Sequence, residues 1–155
     1  MGKKTGPNPT DRAKRGTKRS LLTDGAGVPL AVAVAGANVP DMRLVEATIK
    51  AFGIERPSKR GQHLCADKGY DYTTVRTVLI EAGYTLHIPS RGETRAERPI
   101  HPHGRARRWV VERTHSWMNR FRRLLVRWEK REQNYEAMLH LACAWITMKL
   151  AGVFG

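Results

Sequence analysis

The first third of the chain has the spacing of two strands and then a helix. Two apolar stretches, 18–23 and 28–36, lie on either side of Asp24 and Gly25. Such an order predicts a β-hairpin with a turn at the Asp-Gly pair. From 40 to 52, apolar side chains recur every three or four residues on one face, which predicts a helix.

Alternating strands and helices continue after this hairpin. Strands are predicted at 63–66, as a short buried strand, and at 84–88. Between them lies a helix that Asp71 caps and Gly83 closes. The last helix, 132–151, is apolar almost all round, which is typical of a buried helix. With one further helix before it, the order β-β-α-β-α-β-α-α predicts an α/β fold whose mixed sheet is flanked by helices.

The positive charge is concentrated in two blocks. The net charge is +14, and residues 1–20 carry seven basic residues against one acid. Residues 91–127 carry eleven arginines against three acids, whereas the other segments are balanced. A surface that binds phosphates is expected to concentrate charge in this way. We expect residues 1–16 to form a basic extended arm and residues 17–151 to form one folded domain.

The bulk composition excludes several classes of protein. A chain of 155 residues with 41% hydrophobic residues is long and apolar enough for one folded domain. The apolar stretches 28–37 and 139–150 are too short or interrupted to span a bilayer, and the polar N-terminus has no signal-peptide pattern. Cys65 and Cys143 do not form a disulfide framework. We therefore expect a cytoplasmic protein with no membrane partner.

Glu112 lies alone among arginines on a helix that begins near Arg105. The apolar stripe of this helix is formed by Val110, Trp117, Phe121, Leu124 and Trp128. Glu112 lies on the opposite face, together with Arg108, His115 and Asn119. Two interpretations stay open: an Arg108–Glu112 pair on a solvated face, or an acid that holds a cation where a polyanion will lie.

Asp67 follows the strand 63–66 directly. In α/β sheets, functional groups collect where strands end. Asp67 and Glu112 together would suit Mg²⁺, the ion that two-metal enzymes use for phosphoryl transfer. The alternative for Asp67 is the N-cap of a helix or an ordinary acid in a loop.

Other candidate sites have weaker patterns. His63 with Cys65, or His101 with His103, does not complete a four-ligand zinc set. A Cys65–His63 nucleophile would have no third group to orient the base. The basic block 91–108 is expected to be a clamp for DNA phosphates or else a solvated loop. For Trp109, Trp117 and Trp128, packing in the core is favoured over a role as base-stacking platforms, least strongly for Trp128.

Three segments resemble the DDE transposases of bacterial insertion sequences, more narrowly the insertion-sequence family four and five groups. They are GPNPTDRAKRGTKRSLLTDGAGVPLAVAVAGANVPD, ADKGYD and RARRWVVERTHSWMNRFRRLLVRWEKR. The likeness runs from about Gly6 to about Trp145. It implies an RNase H-like fold and a reaction in which Asp, Asp and Glu, with Mg²⁺ or Mn²⁺, hydrolyse and rejoin DNA strands.

The resemblance also implies roles for individual residues. Asp67 matches the second acid of the triad and Glu112 the third. DNA contacts are expected from Lys14, Lys18, Arg105, Arg107, Arg108, Arg113, His115, Asn119, Arg120, Arg122 and Arg123. For His115 and Asn119, the alternative role is to support the metal site. The partner would be transposon-end and target DNA at the nucleoid, bound by a homo-oligomer.

The first acid of the family ends a strand that lies before the segment beginning at Gly6. That strand is also the central one of an RNase H-like sheet, and no apolar stretch precedes Gly6. We therefore expect a sheet without its first strand, and a chain that is inactive alone. Either an upstream polypeptide supplies the strand and its acid, for instance through a frameshift, or the chain is a remnant. Asp24 is the candidate substitute, although the turn gives it a structural reason.

Two rival functions need no triad. A non-catalytic fragment could bind transposon ends, or inhibit the intact transposase. A basic RNA-binding protein would show no preference for any DNA end.

Overall fold

A computed structural model describes residues 4–55, 61–92 and 109–153. Five strands and five α-helices lie within these ranges, so the predicted α/β class is confirmed. In chain order they are β1 (Gly6–Pro7), β2 (Arg15–Thr23), β3 (Pro29–Gly36), α1 (Val45–Lys50), β4 (Gln62–Cys65), α2 (Thr73–Glu81), β5 (Tyr84–His87), α3 (Trp109–Asn119), α4 (Arg122–Leu125) and α5 (Glu132–Leu150). Short 3₁₀ helices over Asp41–Leu44 and Lys68–Tyr70 precede α1 and α2.

The predicted hairpin is confirmed. β2 and β3 pair antiparallel. Asp24 Oδ1 fixes the turn between them by accepting hydrogen bonds from the backbone N–H groups of Ala26 and Val28, both at 2.8 Å. Gly27 has a φ of +88°, a conformation that glycine adopts without a steric penalty.

Part of the segment expected as an extended arm belongs to this sheet. Gly6 and Pro7 pair with Gly16 and Arg15, on the side of β2 away from β3. The Asn38 side chain fills the space beside Gly6 that a Cβ atom would need. Only glycine therefore fits at this position of the edge strand.

The second sheet is a parallel pair. β4 and β5 align from Gln62 opposite Tyr84 to Cys65 opposite His87, and α2 forms the crossover between them. Among the described residues β2 and β4 do not pair, so the single mixed sheet expected from the sequence is found as two smaller sheets. β4 is also only partly buried, because His63 and Cys65 are exposed on one face.

The predicted capping of α2 is only half confirmed. Gly83, with a φ of +81°, follows the end of the helix as expected. Asp71 does not cap the helix, because the N-cap is Tyr72 and makes no side-chain bond. The Asp71 carboxylate instead accepts hydrogen bonds from the Arg91 backbone N–H at 2.7 Å and from Arg76 Nε at 2.9 Å. These bonds hold the pKa of Asp71 below its ordinary value.

Two hydrophobic cores lie on the two sides of the structure. The first lies where α3, α4 and α5 meet the hairpin, and its buried members are Val34, Met118, Leu124, Tyr135, Leu139, Ala142 and Ile146. The second lies where α1 and α2 pack against β4 and β5, and its buried members are Val45, Leu64, Val75, Leu79, Tyr84 and Ile88.

The expectation of an all-round buried α5 is wrong. Leu139 is fully buried, whereas Leu141 is 63% exposed and Trp145 is 50% exposed. The helix is apolar on both faces, but only one face packs on the first core. In the part of the chain that the structure describes, no helix combines the length and apolarity needed to cross a membrane.

The predicted apolar stripe around Glu112 is also corrected in part. α3 ends at Asn119 and α4 begins at Arg122, so the helix breaks before Trp128. Trp128 is 75% exposed and Trp109 is exposed as well, so neither belongs to the core. Trp117 does pack against the first core, as expected.

A matched pair of substitutions on α5 tests the position of the first core. Leu139→Ala is expected to lower the free energy of unfolding by about 2–5 kcal/mol, because it opens a cavity in a closely packed site. Leu141 lies two residues further along α5, on its exposed face. Leu141→Ala should change the free energy of unfolding by no more than about 0.5 kcal/mol. Urea unfolding monitored by circular dichroism measures both, and equal losses would contradict this packing.

Candidate active-site groove

A groove with a volume of about 670 Å³ lies between the hairpin and the parallel pair of strands. Residues 19–23 of β2 and residues 62–67, which comprise β4 and the two residues after it, line the groove. The other lining side chains include Val45, Thr48 and Ile49 from α1, and Val110, Glu112 and His115 from α3. Two sheets and three helices, since Leu79 of α2 also lines the groove, therefore converge on one concave site.

β2 and β4, which both line this groove, each have an unpaired edge in the described structure. β2 pairs with β3 on one side, and on the other it pairs with β1 only at Arg15 and Gly16. β4 pairs with β5 alone. An unpaired strand edge presents a row of backbone N–H and C=O groups, which is a template for another strand.

Asp67 is placed at the end of β4, as its position after the strand predicts. Its Oδ1 accepts a hydrogen bond of 2.7 Å from the Gly69 backbone N–H, which makes it the N-cap of the short helix Lys68–Tyr70. Its Oδ2 has no hydrogen-bond partner within the described ranges. The N-cap alternative therefore accounts for one carboxylate oxygen and leaves the other available.

A second cavity of about 260 Å³ shares Asp67 with the groove. Lys18, Asp41 and Tyr70 also line it. Burial, and then the nearby Asp41 and Asp67 carboxylates, raise the pKa of Tyr70 to about 12. Tyr70 is therefore protonated at neutral pH and can donate a hydrogen bond.

Glu112 reaches the same groove from the first turn of α3. Its side chain is exposed, and no described residue forms an ion pair with it. The alternative interpretation, an Arg108–Glu112 pair, involves Arg108, which lies outside the described residues. The positive end of the helix dipole stabilises a carboxylate at this position. Within the described structure, Glu112 is thus a carboxylate that has no cation to neutralise it.

His115 and Asn119 lie on the same helical face as Glu112, as predicted. Burial, and then the Arg19 guanidinium, lower the pKa of His115 below its ordinary value, so its ring is neutral at pH 7. Asn119 Oδ1 accepts a hydrogen bond of 2.6 Å from Arg19 Nη2. Both side chains therefore face Arg19, and their expected DNA contacts stay predictions.

Arg19 is a groove residue that the sequence pattern does not identify. Its Nη1 is buried without a hydrogen-bond partner in the described structure, and its side chain lines the groove. One signal was available: β-strand alternation places Arg19 on the same face as Leu21, which packs on the first core. The pairing with Asn119 joins positions that are 100 residues apart, and no local pattern encodes it.

Arg113 has a structural position, although the sequence suggested a DNA contact. Its guanidinium lies over the rings of Trp109 and Trp117, at 4.6 and 4.8 Å from their centroids. Its Nη2 donates a hydrogen bond of 2.7 Å to the carbonyl oxygen of Ala26. Beside it, Thr114 Oγ1 donates to the carbonyl oxygen of Gly27 at 2.8 Å. These contacts fasten α3 to the hairpin turn.

Arg113 and Arg120 form a matched pair for separating fold from DNA contact. Arg113→Gln is expected to lower the free energy of unfolding by about 1–3 kcal/mol, because it removes cation–π contacts and a hydrogen bond. Arg120 is exposed, so Arg120→Gln should leave stability unchanged. It should reduce the salt dependence of DNA affinity by a slope of about 1. Thermal unfolding and DNA titrations at several salt concentrations measure both effects. A loss of stability in Arg120→Gln together with unchanged stability in Arg113→Gln would contradict these roles.

The other predicted DNA contacts differ in their surroundings. Lys18 Nζ donates to the Val39 carbonyl oxygen at 2.9 Å and lies 3.2 Å from Asp41 Oδ1, whereas Lys14 makes only a 3.7 Å pair with Asp11. Arg120, Arg122 and Arg123 are exposed. Outside the described residues lie Arg105, Arg107 and Arg108, the block 93–108 of the predicted phosphate clamp, His101 and His103.

Asp67 and Glu112 fit a site for a hard divalent ion. Mg²⁺ is commonly held by one or two carboxylates, with water and substrate phosphates as the other ligands. The described residues contain no cluster of three or more His, Cys, Asp and Glu side chains that could hold a metal ion. A third acid in the groove, Asp24, uses its Oδ1 in the hairpin turn.

A histidine pair also lines the groove. His63 Nδ1 lies 2.7 Å from His87 Nε2, across the β4–β5 pair, and Cys65 is exposed beside them. Two imidazoles that share one hydrogen bond do not make a zinc site, which needs four ligands when structural.

Comparison with known proteins gives one family and one relative. The family described as Transposase DDE domain matches residues 2–147. The chain is 41% identical over 157 aligned positions to "Putative transposase for insertion sequence element IS402" of Burkholderia cepacia, an alignment that covers 96% of this chain and 72% of that protein. No solved structure matches this chain significantly.

Proposed function

Because the chain belongs to the DDE transposases of bacterial insertion sequences, we propose that the groove is the site where DNA strands are cut and rejoined. The observation that carries this proposal is the convergence of Asp67 and Glu112 on one groove. One acid comes from a strand end and the other from a helix packed on a different sheet. Transposition of DNA is the activity of this family.

Members of the family generally depend on a divalent metal. When bound, Mg²⁺ or Mn²⁺ would activate the attacking oxygen and stabilise the leaving oxygen. Asp67 Oδ2 and the Glu112 carboxylate are the groups that would hold it. The Gly69 N–H fixes the Asp67 carboxylate in place, and the two contacts of Arg113 and Thr114 with the hairpin turn fix α3. Both acids are thus positioned before substrate arrives.

The proposed fold is RNase H-like, completed by a strand that enters the groove. Such a strand would pair with the free edges of β2 and β4 and join the two sheets into one mixed sheet. It would come from a segment outside residues 1–155 and would carry the first acid of the triad toward Asp67. The open edges and the apolar lining of the groove at Leu21, Leu22 and Leu64 support this proposal.

The DNA would be held by the exposed arginines Arg120, Arg122 and Arg123, together with the basic block 91–108. Polyanion binding through such residues gains free energy from released counterions. The reaction would take place on DNA of the bacterial nucleoid, in the cytoplasm. We further propose that the active form is an oligomer assembled on transposon ends.

A second candidate function is that of a DNA-binding fragment without catalysis. It is favoured by the absence of a three-acid cluster among the described residues. Cleavage of labelled transposon-end DNA, with Mg²⁺ or Mn²⁺ and after chelation, separates the two functions. Metal-dependent cleavage by the strand-completed protein supports the transposase site, whereas DNA binding without cleavage supports the fragment.

A further inference from the structure

Trp128 is an exposed aromatic residue whose neighbours in sequence are anchored to the protein. It lies between α4 and α5 and is 75% exposed. Leu125 and Val126, just before it, are also exposed apolar residues. A contiguous group of exposed apolar residues with a polar rim marks a candidate interaction site.

The residues on either side of Trp128 point into the protein. Arg127 Nη1 donates a hydrogen bond of 2.8 Å to Thr17 Oγ1, and its guanidinium lies 4.9 Å from the centroid of the Tyr135 ring. The Glu129 side chain is only 9% exposed and lies 3.6 Å from Arg123 Nη1. Two inward anchors therefore fix the backbone and direct the Trp128 ring outward.

The surroundings of Trp128 are strongly basic. Residues 120–131 carry six basic residues and one acid. The acid is Glu129, which Arg123 neutralises, and the contact places that arginine against the residue next to Trp128. Lys130 and Arg131 are exposed on the other side. An aromatic face among cations matches the charge and chemistry of a nucleic-acid strand, whose bases stack while its phosphates bind arginine and lysine.

We infer that Trp128 stacks on a DNA base that is unpaired or has left the duplex, while the neighbouring cations hold the flanking phosphates. The inference rests on the proposed function, in which DNA is the substrate. A paired base inside a duplex offers no free face to an exposed indole, so the ligand must be an unpaired base, as in a single-stranded tail, or a base that has left the helix. Leu125 and Val126 would form the apolar side of the same site.

Trp145 provides a matched control. It is a tryptophan that is 50% exposed, on the outer face of α5, outside the basic segment 120–131. The test compares Trp128→Ala, Trp128→Phe and Trp145→Ala with the unchanged chain. The probes are a blunt DNA duplex and the same duplex with a short single-stranded tail that contains 2-aminopurine.

The expected result is selective. Trp128→Ala should weaken binding of the tailed duplex roughly 5- to 100-fold and should abolish the quenching of 2-aminopurine. Binding of the blunt duplex should change less than about threefold, because phosphate contacts are retained. Trp128→Phe should keep the quenching, and Trp145→Ala should resemble the unchanged chain in both assays.

Three outcomes would overturn the inference. Equal binding and quenching by Trp128→Ala and the unchanged chain would exclude stacking while leaving the DNA-binding function intact. A change in oligomeric state on sedimentation, with unchanged DNA affinity, would make this surface a contact between copies of the chain. If the unchanged chain binds neither duplex, the proposed function and this inference fail together.

Discussion

Glu112→Gln is expected to lower the rate of DNA cleavage by roughly 10³-fold or more in the strand-completed protein. The amide keeps the size of the carboxylate but loses the charge that holds a divalent cation. Stability should not fall, because Glu112 is exposed and has no ion pair within the described structure. Gel assays of nicking and strand transfer on labelled transposon-end DNA measure the rate, and thermal unfolding measures the stability.

Glu81→Gln is the matched control for this substitution. Glu81 is an exposed glutamate at the end of α2, and it does not line the groove. Its replacement should leave cleavage unchanged. Asp67→Asn should reduce cleavage as Glu112→Gln does, and both variants should still bind DNA. Cleavage within about tenfold of the unchanged protein in either groove variant would exclude that acid from the metal site.

Completion of the groove by a further strand is expected to raise the free energy of unfolding by roughly 3 kcal/mol or more. Two or three apolar side chains would become buried, and each fully buried side chain contributes about 1.5–3 kcal/mol. The added strand would also pair the open edges of β2 and β4. Denaturant unfolding measures the gain, and amide hydrogen exchange locates it.

Hydrogen exchange shows whether the added segment pairs with the open edge of β2. Backbone amides on the free edge of β2, within residues 17–23, should become protected from hydrogen exchange when the upstream polypeptide segment is fused to the chain. A fused segment of the same composition in scrambled order is the control and should give neither protection nor stability. Equal stabilisation by both fusions would mean that the groove does not select a strand.

The sequence predicted the parts of the fold that local chemistry determines. The hairpin followed from an Asp-Gly turn, and the side chain of Asp24 indeed closes it. The crossover β4–α2–β5 followed from alternating periods and from Gly83 at the end of the helix. In each case the signal lies within a few residues of the feature that it determines.

Features set by distant partners could not be predicted in this way. The apolar pattern of α5 does not say which face has a neighbour, so Leu141 and Trp145 were expected in the core. Asp71 has a good sequence position for a cap, but the charge of Arg76 and the backbone of Arg91 compete for its carboxylate. Such competition depends on the tertiary structure.

The residues of the candidate site also differ in whether local sequence or distant contacts determine them. Asp67 could be predicted from its position after a strand, and Glu112 from its isolation among arginines. Arg19 could not, because its bond to Asn119 depends on how α3 packs on β2. The exposure of Trp128 could not be predicted either, since it results from the inward anchors Arg127 and Glu129.

We propose that the groove becomes a metal-dependent DNA-cleaving site when a strand fills it. The most direct measurement is nicking and strand transfer on labelled transposon-end DNA in Mg²⁺ or Mn²⁺, with three proteins in parallel. They are residues 1–155 alone, the chain with its upstream segment, and that longer form with Glu112→Gln. The predicted result is activity in the longer form alone. Equal rates of cleavage by the longer form and its Glu112→Gln variant would contradict this proposal. It would also be contradicted if all three proteins bind the DNA and none cleaves it.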